Sequence, residues 1–190
     1  MARVIMVLGG SSSGKSEYAE EITASLEAQL GGPVYYLATA RVIDEELAGR
    51  VERHRLRRPF SWSTIEEPLN LAAVLPSLEP QPLICLVDGV GTWISNILIE
   101  SLEPDKAWDA RAELDCLQKI YDFIEALKEI DGAIVIVADE VGWDLLPVYK
   151  LGRVFMELNG LANQILAEAS TDLVFVTSGT PVFVKGGISA

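Results

Sequence analysis

Short apolar runs alternate along the chain with longer amphipathic stretches, and this alternation predicts the secondary structure. The short runs are continuously apolar and do not alternate with polar residues, which is typical of strands buried on both faces of a parallel sheet. Five such strands are predicted, at residues 4–8, 34–38, 83–87, 133–138 and 173–177. The last run continues through Ser-Gly-Thr-Pro to residue 185, and this turn sequence predicts a hairpin at a sheet edge.

The stretches between the strands predict helices at residues 15–30, 44–57, 92–101, 105–130 and 151–169. In the fourth of these, leucine and isoleucine recur every three or four residues from Leu114 to Leu127, which places them on one helical face. Strands that alternate with helices indicate an α/β fold with a mostly parallel sheet. We therefore expect one domain over residues 1–190, with helices flanking the sheet and an antiparallel strand at its edge.

Composition narrows the class of protein. The 190 residues are 49% hydrophobic and 23% charged, as in ordinary globular proteins, and the formal net charge is −13. Because nucleic acid is also negatively charged, the overall electrostatic field of this chain is not expected to favour nucleic-acid binding. Its apolar runs are also too short to span a membrane. Cys85 and Cys116 lie in apolar surroundings without metal-ligand spacing, so we expect reduced core cysteines and a cytoplasmic protein.

The strongest motif is a phosphate loop of the form G-x-x-x-x-G-K-[ST], which follows the first strand and opens the first helix. In such a loop, backbone N–H groups and the helix N-terminus bind phosphate. Lys15 is predicted to reach the β- and γ-phosphates, and Ser16 to ligate Mg²⁺. The predicted phosphate-binding residues are Gly9, Gly10, Ser11, Ser12, Ser13, Gly14, Lys15 and Ser16.

Two further acidic positions follow predicted strands. Asp88 ends an apolar strand, and an aspartate at this place in phosphate-loop enzymes holds Mg²⁺. The alternative is an aspartate that only begins the turn before Gly89. Asp139 and Glu140 follow a later strand, where they could orient a water or a sugar hydroxyl, or could equally cap the next turn.

The only histidine, His54, lies in a basic segment that reverses the sign of the chain's charge. Residues 50–58 contain five of the fifteen lysines and arginines. On a helix, Arg50, Arg57 and Arg58 would share the face of His54, where they could bind phosphate oxygens and favour the neutral, nucleophilic imidazole. Such an imidazole could attack phosphorus. The alternative is a solvated basic helix face, and residue types alone do not derive the covalent chemistry.

Together these motifs resemble those of the bifunctional adenosylcobinamide kinase/adenosylcobinamide-phosphate guanylyltransferase family of cobalamin biosynthesis. Many enzymes share the phosphate loop, whereas the segment from Asp44 to Pro59 is far more specific. The other matching stretches follow in the family's order and extend over nearly the whole chain: residues 36–39, 62–66, 87–88 with Trp93 and Asn96, 140–142 and 163–164.

The resemblance implies two reactions. A nucleoside triphosphate, ATP or GTP, phosphorylates the aminopropanol hydroxyl of adenosylcobinamide. GMP then passes from GTP to adenosylcobinamide phosphate through a guanylylated histidine, which gives adenosylcobinamide-GDP. His54 matches the family's nucleophile. Besides the phosphate loop, the match implies that nucleotide or metal is contacted by Thr39, Arg55, Arg57, Arg58, Glu66 and Asp88.

The resemblance also implies a RecA-like sheet and a homotrimer. The chain departs from the family's pattern after Glu140, where Asp144 replaces a glycine and Val148-Tyr149 replace a Glu-Asn pair.

Two other functions are also compatible with the phosphate loop. One is a phosphate-loop kinase of another small molecule without a covalent intermediate, and the other is a nucleotide-binding regulator without turnover.

Overall fold

The structure, a computed structural model, describes residues 2–41, 49, 52, 55–102, 108–143 and 146–187. Within these residues, seven strands form one sheet. They are β1 (Arg3–Gly9), β2 (Val34–Ala38), β3 (Ser63–Glu66), β4 (Leu83–Asp88), β5 (Gly132–Asp139), β6 (Asp172–Thr177) and β7 (Thr180–Lys185).

The strand order is β3-β2-β4-β5-β1-β6-β7, and every neighbouring pair is parallel except β6 and β7. The predicted mostly parallel sheet with an antiparallel edge hairpin is therefore confirmed. In this register Gly9 at the end of β1 lies beside Asp139 at the end of β5. The carboxyl ends of the central parallel strands thus meet at one edge, where open α/β sheets bind ligands.

Helices cover both faces of the sheet. They are α1 (Lys15–Leu30), α2 (Leu71–Val74), α3 (Val90–Glu100), α4 (Ala110–Glu129) and α5 (Lys150–Ala169), with a 3-10 turn at Leu75–Ser77. Helix α1 packs on one face through Ala19, Ile22 and Leu26. The other helices bury a larger cluster on the opposite face, in which the rings of Trp93 and Phe123 lie 5.4 Å apart.

The five predicted strands are confirmed to within one residue at each end. Their apolar runs lie in the core, and burial is most continuous in β4 and β5. Helix α1 is confirmed over its full length. Helix α4 begins later than predicted, since Asp109 caps it by accepting hydrogen bonds from two backbone N–H groups, and residues 103–107 lie outside the described residues. The predicted helix at residues 44–57 lies mostly outside them too, although residues 55–57 are helical.

Strand β3 and helix α2 were not predicted. Both cysteines are buried and free, as expected, and burial raises the pKa of Cys85 to about 12.

None of the described helices combines the length and apolar character needed to cross a bilayer.

Candidate functional site

The phosphate loop lies between the end of β1 and the start of α1, as its motif predicts. Ser11 and Ser12 are exposed, whereas Ser13 and Lys15 are buried. Gly14 caps α1 in the left-handed region, with φ of 92°. This backbone turn favours glycine, and it leaves the N-terminal N–H groups of α1 available to an anion.

The first glycine of the loop is required by close packing. A Cβ at Gly9 would lie 2.5 Å from Ser13 Oγ and 2.6 Å from the carbonyl oxygen of Val176. The chain can therefore enter the loop along this path only with glycine. Ser13 Oγ is buried and has no hydrogen-bond partner among the described residues.

Lys15 carries the buried positive charge of the site. Its Nζ donates to the carbonyl oxygen of Gly10 at 3.1 Å and pairs with Asp139 Oδ1 at 2.9 Å. The lysine side chain is 7% exposed, whereas that of Asp139 is 31% exposed. Because an ammonium has three donors, Lys15 can add a phosphate oxygen to these two partners.

Two distant segments hold the loop from outside. Gly179, in the turn between β6 and β7, donates its N–H to Ser13 O at 2.8 Å, and Glu140 donates its N–H to Gly9 O at 3.0 Å. The sequence predicted the hairpin but not its contact with the loop. That contact depends on the order in which β1, β6 and β7 pair.

Ser16 and Asp88 are the predicted Mg²⁺ ligands, and both are half-buried at this edge of the sheet. The hydroxyl of Tyr36 donates a hydrogen bond to Asp88 Oδ2. Hydroxyl and carboxylate oxygens suit Mg²⁺, which usually takes one or two protein ligands together with waters and substrate phosphates. Among the described residues, no three histidine, cysteine or acidic side chains lie together in a way that could hold a metal ion. These two residues therefore fit a metal ion that arrives with the nucleotide, not a protein cage.

Thr39 and Glu66 occupy the same edge in different ways. Thr39 is fully buried, and its hydroxyl donates to the carbonyl oxygens of Asp88 and Gly89 at 3.1 and 2.7 Å. Its side chain therefore positions the end of β4. Glu66 ends β3 beside Ala38 and is exposed, so its carboxylate is open to a ligand. Asn96 connects the segments that follow β2 and β3, because its side-chain amide donates to the carbonyl oxygens of Thr39 and Pro68.

The basic segment is anchored beside the phosphate-loop helix. Arg57 pairs with Glu17 and lies 3.5 Å from Glu20, and both glutamates belong to the first turns of α1. Arg58 lies over the ring of Tyr36. Residues 57 and 58 therefore lie near the phosphate loop and Asp88.

The other residues singled out in the basic segment are Arg55, His54 and Arg50. Arg55 is exposed and lies 3.8 Å from Glu52. His54 and Arg50 lie outside the described residues.

Glu20 is the carboxylate most strongly perturbed by this arrangement. Burial raises the pKa of Glu20 to about 7, and the nearby Asp88 adds to the rise, whereas Arg57 and Arg58 oppose it. Near neutral pH this group can therefore gain or lose a proton. No sequence pattern distinguishes Glu20, because α1 contains several glutamates.

The chain resembles known proteins over nearly its whole length. The model of the family described as cobinamide kinase / cobinamide phosphate guanyltransferase matches residues 5–184. The bifunctional adenosylcobalamin biosynthesis protein CobP of Pseudomonas aeruginosa is 36% identical over 181 residues, which cover 95% of this chain and 96% of that protein. The protein CobU of Escherichia coli, with the same description, is 33% identical over 96% of this chain and 99% of its own.

A solved ATPase domain shares the fold at low sequence identity. It superposes with a TM-score of 0.55 at 10% identity and covers 99% of this chain and 78% of its own. At this identity the likeness concerns architecture alone.

Proposed function

The chain belongs to the cobinamide kinase / cobinamide phosphate guanyltransferase family, and from this we propose that it performs both reactions of adenosylcobinamide activation. In the first, ATP or GTP phosphorylates the aminopropanol hydroxyl of adenosylcobinamide. In the second, GMP passes from GTP to adenosylcobinamide phosphate by way of a guanylylated His54, which gives adenosylcobinamide-GDP. The homotrimer and the cytoplasmic location stay predictions.

One observation carries the proposal: the basic segment is anchored on the helix that the phosphate loop opens. Arg57 contacts Glu17 and Glu20 of α1, whereas Lys15 begins the same helix. The residues that follow His54 in sequence therefore lie next to a phosphate-binding loop. This supports an imidazole working on the nucleotide that the loop holds.

The two reactions make different demands on one triphosphate site. Phosphoryl transfer needs the γ-phosphoryl group held in line with the acceptor, with its charge spread by Lys15. Mg²⁺, when held by Ser16, Asp88 and the phosphates, would neutralise further negative charge. Guanylylation instead needs an imidazole at the α-phosphorus and pyrophosphate as the leaving group. A loop that binds consecutive phosphates can serve both reactions.

The test is the intact mass of the protein after incubation with GTP and Mg²⁺. We expect a mass increase equal to one guanylyl group, which is GMP less one water, and an adduct that is labile to acid and stable to base, as for a phosphoramidate. His54→Ala should abolish the adduct and keep most phosphorylation of adenosylcobinamide. An adduct that persists in this variant would remove His54 from its role, and a wild-type protein that phosphorylates without any adduct would indicate a kinase alone.

A further inference from the structure

An open cleft of about 280 Å³ lies beside the phosphate loop, between the start of α3 and the segment that follows β5. Its lining is mixed, with the polar residues Ser11, Thr92, Ser95, Asp139 and Glu140 beside the apolar residues Val141 and Phe155. Such a lining suits a hydroxyl group on a short carbon chain better than it suits a phosphate. Ser11 also belongs to the phosphate loop, so the cleft opens directly onto the triphosphate site.

Asp139 connects the cleft with the phosphate loop. One carboxylate oxygen, Oδ1, pairs with Lys15 Nζ at 2.9 Å. The other, Oδ2, faces the start of α3 so closely that a Cβ at Gly91 would lie 2.6 Å from it. Because Lys15 reaches the γ-phosphate in phosphate-loop enzymes, this places a carboxylate next to the phosphoryl group to be transferred.

The backbone at Asp139 is held with unusual support. Asn159 and Asn163, one turn apart on α5, both donate their side-chain amide to the carbonyl oxygen of Asp139, at 2.7 and 3.0 Å. Asn159 is fully buried and Asn163 nearly so. These two buried amides hold the backbone at the end of β5 and therefore fix the position of the Asp139 carboxylate. A catalytic group has to be positioned in this way.

We infer that Asp139 is the general base of the kinase reaction and that the cleft holds the acceptor alcohol; this inference rests on the proposed function. The alcohol oxygen forms a bond to the γ-phosphorus while its proton passes to Asp139 Oδ2. The bond between the γ-phosphorus and the β,γ-bridging oxygen breaks, and its electron pair stays on the nucleoside diphosphate. The products are a phosphate monoester, the diphosphate and one proton, which Asp139 releases to solvent.

A purely positioning role for Asp139, acting through Lys15, makes a different prediction. Lys15 is expected to serve both reactions, so its misplacement would slow both. Guanylylation of His54 and transfer of GMP to a phosphate remove no proton from an alcohol. A general base for the alcohol is therefore needed by the kinase reaction alone.

The test is Asp139→Asn, whose amide oxygen still accepts a hydrogen bond from Lys15 but whose side chain cannot take the proton. Three rates are measured: phosphorylation of adenosylcobinamide, GMP-adduct formation from GTP, and GMP transfer to adenosylcobinamide phosphate made by the wild-type enzyme. We expect kcat for phosphorylation to fall about 10²–10⁴-fold, the usual contribution of a general base, with the other two rates within about threefold of wild type.

Glu140→Gln tests the other carboxylate of the cleft, whose Oε1 accepts a hydrogen bond from the backbone N–H of Gly142. The matched control is Asp122→Asn, at an exposed aspartate of α4, which should leave all three rates unchanged. Equal losses of all three rates in Asp139→Asn would show that Asp139 acts only through Lys15. Retained phosphorylation in Asp139→Asn, or a selective loss in Glu140→Gln instead, would overturn the assignment. Failure of the proposed function is separate, since the wild-type enzyme itself would then lack phosphorylation or the adduct.

Discussion

The guanidinium group of Arg58 lies over the ring of Tyr36, with Cζ 3.5 Å from the ring centroid. The hydroxyl of the same tyrosine donates to Asp88, the predicted Mg²⁺ ligand. Burial raises the pKa of Tyr36 above its ordinary value, and the charge of Asp88 raises it further, so the hydroxyl remains a donor at physiological pH. One aromatic ring thus joins the basic segment to the carboxylate at the end of β4.

This contact predicts that Arg58 positions the basic segment for guanylylation. Arg58→Gln removes the positive charge from the ring, and Arg58→Lys keeps the charge but loses the planar stacking. We expect GMP-adduct formation to fall about tenfold or more in Arg58→Gln and less in Arg58→Lys. Adduct formation is followed by intact mass over time.

The matched control is Arg111→Gln, which removes an exposed arginine from the first turn of α4. It should form the adduct at the wild-type rate. If Arg58→Gln behaves like this control, the contact with Tyr36 has no part in guanylylation.

Lys15→Ala is expected to weaken both reactions. It removes the buried ammonium that contacts Gly10 and Asp139 and that is predicted to bind the phosphates of either nucleotide. We expect phosphorylation and adduct formation each to fall at least about 100-fold, a loss typical for charge stabilisation in the transition state. Lys128→Ala, at an exposed lysine paired with Glu125, is the control. Undiminished guanylylation in Lys15→Ala would mean that the two reactions use different phosphate sites.

The elements with continuous apolar runs could be predicted from the sequence, whereas β3 could not. Its four residues contain one aliphatic side chain, Ile65, and three of the four are exposed, because β3 lies at the sheet edge and pairs only with β2. A strand that buries so little leaves no periodic pattern. Its position comes from the backbone pairing with β2, which local sequence does not encode.

The phosphate loop could be predicted because its chemistry is local, but the partner of Lys15 could not. Asp139 is 124 positions away along the chain and reaches Lys15 through the parallel pairing of β1 with β5. The sequence left two roles open for Asp139 and Glu140. In the structure Glu140 accepts a hydrogen bond from the N–H of Gly142, as a turn cap does, and both residues line the cleft.

The raised pKa of Glu20 predicts a pH-dependent stability. With a folded-state value of about 7 against an ordinary 4.5, the folded protein holds this proton more tightly than the unfolded chain. The stabilisation that protonated Glu20 gives the folded protein is therefore complete below about pH 4.5 and is lost as the pH rises through about 7. Glu20→Gln does not titrate. Relative to wild type, its free energy of unfolding should improve by about 1–2 kcal/mol between pH 5 and pH 8, a value reduced for solvent screening.

Urea denaturation at several pH values measures this difference. Glu21→Gln, at the adjacent exposed position of α1, should give a curve parallel to that of the wild type. Parallel curves for Glu20→Gln as well would contradict the raised pKa.

A pair of glycine substitutions tests the placement of Asp139 without altering its carboxylate. A Cβ at Gly91 would lie 2.6 Å from Asp139 Oδ2, so Gly91→Ala should push the carboxylate from its position and lower phosphorylation about tenfold or more. Gly160 lies in α5 with no atom within 4 Å of its would-be Cβ, and Gly160→Ala should stabilise the fold by about 0.5–1 kcal/mol with unchanged kinetics. Both are measured by phosphorylation kinetics and urea unfolding.

Because adduct formation needs no base for an alcohol, it should survive in Gly91→Ala. Equal phosphorylation rates in the two variants would mean that the carboxylate can move without consequence, and its contact with the start of α3 would then have no catalytic meaning.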